Sequence, residues 1–189
     1  MEFKVLLTDY EFVNLAYEEE VFEEAGIKIH FVKAQCKTED EVIHHAKDAD
    51  ALLNQYAPVS RRVIESLHKC KVISRYGVGV NTIDLEAAAK KGITVANVPD
   101  YGMEEVSNHA LALLLSLARK VTLLNNQVKK GNWDFKASVP IHRFNEQTVG
   151  VLGFGRIPRS LVEKVKPLGF KLAAYDPFVS AEDMEKAGV

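Results

Sequence analysis

The stretch Thr148 to Asp176, TVGVLGFGRIPRSLVEKVKPLGFKLAAYD, narrows the folds open to this chain more than any other. It reads in order as strand, glycine turn, helix, strand and acid. Val149, Val151 and Leu152 form a short apolar run, as a strand buried in a parallel sheet requires. Gly153, Gly155 and Pro158 take the three landmark places of a G-x-G-x-x-G fingerprint, with proline in the last. Gly155 lets backbone come close to a pyrophosphate, and the helix behind it turns its free N–H groups and positive dipole end toward that anion. Leu161, Val162, Val165 and Leu168 give the helix an apolar stripe, and Gly169 stops it. Lys171 to Tyr175 is the return strand. Asp176 follows Gly155 by about 20 residues, the separation at which an acid reaches the adenosine ribose hydroxyls.

All four parts fall in place, which favours a dinucleotide site over the plainer alternative, a βαβ unit whose glycines only make a tight turn. Pro158 departs from the pattern. Proline is tolerated in a first helical turn, where no N–H is needed. The third glycine normally permits close helix–strand packing, so the helix is expected slightly further from the sheet. A 2′-phosphate beside Asp176 would meet like charge, so the expected cofactor is NAD rather than NADP.

The rest of the chain sets limits. Its 189 residues are 47% hydrophobic and 26% charged, which suits a soluble protein of one or two domains. The formal net charge is −2, with both signs interspersed, so no nucleic-acid partner is expected. Cys36 and Cys70 lack metal or redox spacing and read as small buried residues in a reducing compartment. No metal site is expected. The opening MEFKVLLTDY reads as a strand rather than a signal peptide, and the most apolar stretch, Ala110 to Ala118, is too short to span a bilayer. The expectation is a cytoplasmic protein without a membrane partner.

The first hundred residues alternate strand and helix five times. Strands are expected at Phe3–Thr8, Ile27–Val32, Ala51–Leu53, Val72–Ser74 and Ile93–Ala96. Between them lie a helix over Ala16–Ala25, one opened by the capping box Thr38-Glu39-Asp40-Glu41, one capped by Ser60 and one capped by Asp84. That alternation means a parallel sheet with helices on both faces, and ligands beyond the carboxyl ends of its strands. Arg75-Tyr76-Gly77-Val78-Gly79-Val80 lies at such an end. Two glycines one residue apart can present successive N–H groups as an anion nest, or can simply make a tight turn. Arg75 reads as an ion-pair partner. Asn54-Gln55-Tyr56, after the third strand, can face the same crevice. Met103 to Lys130 reads as one long helix or two abutting ones; His109 to Ala118 is apolar nearly all round and is expected to be buried on several sides. Asn132 to Gln147 is an irregular arm whose tryptophan, Trp133, is expected to dock on something.

Three separated motifs stand in one order: SRYGVGVNTIDLEAAAKKGITVANVPDYGMEEVSNHALALLLSLAR, then VGVLGFGRIPRSL, then YDP at Tyr175 to Pro177. Together they resemble the D-isomer-specific 2-hydroxyacid dehydrogenases, including their phosphoglycerate-dehydrogenase-like members and the related C-terminal-binding-protein corepressors. The resemblance covers the whole chain, most tightly Val72 to Asp176. It implies an α/β protein in which a flavodoxin-like parallel-sheet domain, residues 1–100, precedes the first part of a Rossmann NAD-binding domain, residues 101–189. It implies that the backbone at Val78 and Gly79 faces the carboxylate of a small 2-hydroxy or 2-oxo acid. Gly153, Gly155, Arg156, Ile157 and Asp176 would hold NAD, and Val106 would border the nicotinamide. It implies a homodimer paired through the long helix and its arm.

The implied chemistry is hydride transfer between a 2-hydroxy acid and nicotinamide, using an arginine, a glutamate and a histidine that lie after the second Rossmann strand. The chain stops at Val189, before any of them. None of His30, His44, His45, His68, His109 or His142 matches the motif. His44 and His45 read as solvated, and His109 as a hydrogen-bonded structural residue. No catalytic residue is assigned. The expectation is a fragment of a protein of about 300 residues or more, by the size of two full domains, inactive alone. One βαβ unit and one long helix cannot enclose a core, so part of the apolar surface of Leu111 to Leu117 is expected to face water. The competing expectation is an NAD(H)-sensing, corepressor-like binding module without dehydrogenase activity.

Overall fold

The computed structural model describes residues 2–189. The chain divides into two compact units, Met1–Tyr101 and Gly102–Val189.

The first unit runs β1 (Glu2–Leu7), α1 (Ala16–Glu24), β2 (Lys28–Lys33), α2 (Glu39–Ala46), β3 (Ala51–Asn54), α3 (Arg61–Ser66), β4 (Val72–Arg75), α4 (Leu85–Lys90) and β5 (Thr94–Ala96). The five strands are parallel, in the order β2-β1-β3-β4-β5. This is the flavodoxin-like order, in which the crevice opens between the carboxyl ends of β1 and β3. Register explains why the strands hold together. Val32, Leu6, Leu52, Ile73 and Val95 lie side by side across all five. The middle three are fully buried under Val42, Ala46, Val63, Ile64 and Ala88 of the helices. Each such aliphatic side chain contributes about 1.5–3 kcal/mol on leaving water.

The caps divide. Thr38 forms the complete box, its hydroxyl accepting from Glu41 N–H while the Glu41 carboxylate accepts from Thr38 N–H. Asp84 accepts from Ala87 N–H at 2.8 Å. Ser60 holds the N-cap position of α3 but makes no side-chain cap bond, and its buried hydroxyl oxygen has no partner. Helix α1 buries none of its residues completely; Phe22 meets Phe31 edge-on at 5.3 Å.

The second unit runs α5 (Met103–Ala118), α6 (Val121–Lys129), two 3-10 turns at Phe135–Ser138 and Phe144–Glu146, β6 (Thr148–Leu152), α7 (Arg156–Val165), β7 (Lys171–Tyr175) and α8 (Ala181–Lys186). The long helical stretch is therefore two helices, broken where Lys120 takes a left-handed conformation at φ 55°. β6 and β7 pair in parallel, with Val149 opposite Leu172 and Val151 opposite Ala174. Phe154, Val162 and Met184 pack with Val151, Leu172 and Ala174 as the core of this unit. Leu152 and Tyr175 point the other way and are 88% and 65% exposed, so the strand is covered on one face rather than both. The expectation that His109 to Ala118 is buried on several sides is overturned. Ser107 is the only fully buried residue of α5, and Leu113 and Leu117 are 53% and 77% exposed. An apolar sequence states what a helix needs covered, not what is there to cover it. His109 is likewise exposed, with no hydrogen bond from its ring among the described residues. No helix among the described residues is long and apolar enough to cross a membrane.

Candidate functional site

In the second unit the turn between β6 and α7 is built by two glycines with different reasons to be there. Gly153 has φ +89°, a conformation that strains any residue with a Cβ, and its N–H donates to Tyr175 O at 2.7 Å. Gly155 has φ −77° and ψ −160°, extended backbone open to any residue, and a Cβ placed on it would meet nothing within 4 Å. Neither conformation nor packing demands glycine at 155, the N-cap of α7. Open space over the start of a ten-residue helix is what an approaching diphosphate needs. Pro158 occupies the third helical position, where no intrahelical N–H bond is lost. Arg156 and Ile157 open the same turn.

Asp176 stands at this turn. Its carboxylate accepts from Phe154 N–H at 2.7 Å and from Phe178 N–H at 2.8 Å. These bonds, the Phe154 one foremost, hold its pKa below the usual carboxylate range, and the charge of Arg159 adds to the effect. Arg159 was not singled out from sequence. Its Nε donates to Phe154 O at 3.0 Å and its guanidinium lies 4.4 Å from the Phe154 ring centre. A basic residue one turn into the helix was the only available signal.

Val106, half exposed, sits on α5 beside Ser107. Ser107 anchors that helix to α7 through a polar cluster. Lys164 Nζ donates to Glu104 Oε2 at 2.8 Å and to Ser107 Oγ at 2.5 Å, and the Ser107 and Ser160 hydroxyls are 3.1 Å apart. The Lys164 hydrogen bond, before its charge, pulls the Glu104 pKa down. The cluster joins Val106's helix to the helix that Gly155 opens.

In the first unit, the carboxyl end of β4 leads into Gly77-Val78-Gly79. No acceptor among the described residues takes the N–H of Val78 or Gly79, while Val78 O accepts from Asn97 and Gly77 O from Val98 N–H. Two adjacent N–H groups without a protein acceptor, on a loop held by its carbonyls, are available to an anion. Arg75 makes no ion pair among the described residues, contrary to expectation. Its Nη1 donates to Tyr76 O at 2.7 Å and its guanidinium lies 5.8 Å from the Tyr56 ring centre. Asn54 and Gln55 do not offer themselves to a ligand either. Asn54 is fully buried, donating to Thr8 Oγ1 and Ala57 O and accepting from Thr82; Gln55 Oε1 accepts from Glu11 N–H. Asp9 accepts from Thr8 Oγ1, Gln55 N–H and Tyr56 N–H. These groups tie the ends of β1 and β3 to each other, and of Asn54, Gln55 and Tyr56 only Tyr56 is exposed.

Among the described residues no cluster of three His, Cys, Asp or Glu side chains could hold a metal ion. Cys36 and Cys70 are buried, and burial pushes both thiols up to about 11, away from reactivity.

Comparison with known proteins shows the chain's family and fold. Residues 5–188 match the sequence model of a family described as D-isomer specific 2-hydroxyacid dehydrogenase, catalytic domain. D-3-phosphoglycerate dehydrogenase of Methanocaldococcus jannaschii is 40% identical over 153 residues, which are 80% of this chain and 29% of that protein. The rat D-3-phosphoglycerate dehydrogenase is 32% identical over 170 residues, 89% of this chain and 31% of that protein. Among solved structures, Aquifex aeolicus D-lactate dehydrogenase complexed with NAD and lactic acid superimposes with a TM-score of 0.81 at 25% identity, covering 97% of this chain and 54% of that one. Apo D-lactate dehydrogenase from Escherichia coli gives 0.69 at 28% identity, covering 98% and 58%. The chain thus spans less than a third of the length of these curated relatives.

Proposed function

Because this chain belongs to the D-isomer-specific 2-hydroxyacid dehydrogenase family, we propose that it serves an NAD-dependent oxidoreductase that interconverts a small D-2-hydroxy acid and its 2-oxo acid. The observation that carries the reading is Gly155: a glycine that neither backbone conformation nor packing requires, at the head of a helix and beside an ionised acid. Bound NAD supplies the hydride chemistry. Residues 1–100 form the substrate domain and residues 101–189 belong to the NAD domain. Gly153 and Gly155 leave room for the pyrophosphate, Arg156 and Ile157 open the helix toward it, and Asp176 takes the adenosine ribose. Val106 borders the nicotinamide. The N–H groups of Val78 and Gly79 hold the substrate carboxylate. We assign no residue of this chain to proton transfer.

The protein works in the cytoplasm as a homodimer, with α6 and the arm as the paired surface. Trp133 and Phe135 are 90% and 74% exposed there, and such side chains gain most from a partner.

The test is made on the full-length protein. NAD is titrated by calorimetry, and NADH oxidation is followed with a panel of 2-oxo acids. Binding with turnover supports the dehydrogenase. Binding without turnover of any 2-oxo acid favours the NAD(H)-sensing module instead, and absence of binding overturns both.

A further inference from the structure

Position 54 holds an asparagine where a buried strand end would take an aliphatic side chain. Asn54 follows Leu52 by two residues in β3, so the two share a face, and both are fully buried. The Asn54 amide is spent in full. Its Nδ2 donates to Thr8 Oγ1 at 3.0 Å and to Ala57 O at 2.9 Å, and its Oδ1 accepts from Thr82 Oγ1 at 3.2 Å. Ala57 O can only accept, and the Thr8 hydroxyl gives its own proton to Asp9 Oδ1 at 2.8 Å. Both therefore need Nδ2, which leaves Oδ1 turned to Thr82. The Asn54 backbone adds a further bond, its carbonyl accepting from Tyr76 N–H at 2.8 Å.

Tyr76 and Thr82 stand on either side of the loop Gly77 to Asn81, and within that loop lie the exposed Val78 and Gly79. Entry and exit are thus joined to one residue, which β1 holds in turn through Thr8. Val59 braces the exit further, its N–H donating to Thr82 O at 2.8 Å. An apolar residue at 54 would serve packing as well as the amide does, because a buried polar group gains stability only when every bond is made. What the amide adds is a set distance between the two ends of the loop.

Resting on the dehydrogenase reading above, we propose that Asn54 is a positioning residue: through Tyr76 and Thr82 it holds the Val78 and Gly79 N–H groups in the arrangement that receives the substrate carboxylate. Asn54 itself touches no substrate. A loop released at its exit is divided between arrangements that bind and arrangements that do not, and apparent affinity falls with the fraction that binds. Hydride transfer from bound substrate is unchanged, so KM rises while kcat holds.

The experiment replaces Thr82 in the full-length protein. Thr82→Val removes the hydroxyl and keeps the shape of the side chain. The KM of the 2-oxo acid reduced fastest is expected to rise about threefold to tenfold, the scale of one hydrogen bond, with kcat and the KM of NADH unchanged. Thr82→Ser keeps the hydroxyl and is expected to return KM close to the wild-type value. Asn54→Leu tests the centre of the arrangement: adding Thr82→Val to it should raise KM no further, and a full additive rise overturns the inference. If Asn54→Leu does not fold, the two Thr82 variants decide alone. Thr82→Val with wild-type KM, even with a lowered urea midpoint, shows a purely structural role and overturns the inference, as does a rise in KM that Thr82→Ser shares. If no 2-oxo acid turns over, the dehydrogenase reading falls by itself. Calorimetric binding of oxalate, which has carboxylates and no ketone to reduce, then decides. Affinity lowered about threefold or more by Thr82→Val and regained in Thr82→Ser supports Asn54, while equal affinities, or no binding to wild type, overturn it.

Discussion

Replacing Gly155 with alanine separates a glycine kept for a ligand from one kept for the fold. At φ −77° and ψ −160° alanine fits without strain, and its methyl enters space with no protein atom within 4 Å. Gly155 is the N-cap of α7, where alanine is poorer than glycine by about 0.5–1 kcal/mol; the lost conformational freedom of the unfolded chain offsets this by about 0.4–1 kcal/mol, so stability should change little. NAD affinity moves further. A methyl where the pyrophosphate approaches lengthens charge-assisted hydrogen bonds worth about 1.5–3 kcal/mol, which is about a tenfold to hundredfold rise in Kd. Gly153→Ala is the control. Its φ of +89° makes alanine strained by about 1–2 kcal/mol, so that variant loses stability first. Urea unfolding gives the stability change and calorimetric titration gives Kd. If Gly155→Ala binds NAD as wild type does, the open space is not a diphosphate site. If it destabilises by more than about 1 kcal/mol, the position is not free, and the strain-versus-space distinction between the two glycines fails.

Two residues at N-cap positions should behave oppositely. Thr38→Ala removes the capping box of α2 and costs about 1 kcal/mol, whereas Ser60→Ala removes a hydroxyl that bonds nothing and leaves the urea midpoint unchanged or raised. The Lys164–Glu104 bond should give the protein an acid-sensitive limb. Glu104 has a folded pKa below its ordinary value, so its stabilisation is complete above about pH 4.3 and is lost as pH falls through the lower folded value. Lys164→Met should flatten that part of a urea-midpoint pH profile, and an unchanged profile would remove the pair from any role in stability. Trp133→Ala should weaken self-association of the full-length protein in sedimentation equilibrium while leaving the circular dichroism of each variant alike; an unaltered association constant moves the dimer surface elsewhere.

The order of elements was legible because the strands of the first unit are short, apolar on at least one face and separated by recognisable helix starts and stops. Gly26 and Gly92 end helices at φ +63° and +70°, and the Thr38 box begins one. The parallel pairing follows from that alternation, and with it the row of Leu6, Leu52 and Ile73. Legibility failed where the answer lay in geometry between residues distant in sequence. Lys120 breaks the long helix with neither glycine nor proline to announce it. Ser60 has the composition of a cap and the φ/ψ of a cap, yet its hydroxyl makes no bond to the helix end. Asn54 and Gln55 have the chemistry of ligand-facing groups and are spent on Thr8, Ala57 and Glu11.

Asp176 raises the same question, and its geometry answers differently. Both its oxygens are used by the turn, through Phe154 and Phe178 N–H. A carboxylate offers about four acceptor directions, so two such bonds leave about two for ribose hydroxyls. The bonds also favour the charged form, and they hold the pKa down. Folding the turn and charging the acid are thus one event: the N–H groups that fix the carboxylate beside Gly153 also keep it ionised as the medium turns acid. A 2′-phosphate meets that charge across the whole neutral range, so discrimination against NADP should be flat from about pH 8 to 7 and weaken only as the phosphate takes up its own proton near pH 6. A preference for NAD already lost by about pH 7, above the phosphate's own titration, would have to come from another titrating group and not from Asp176.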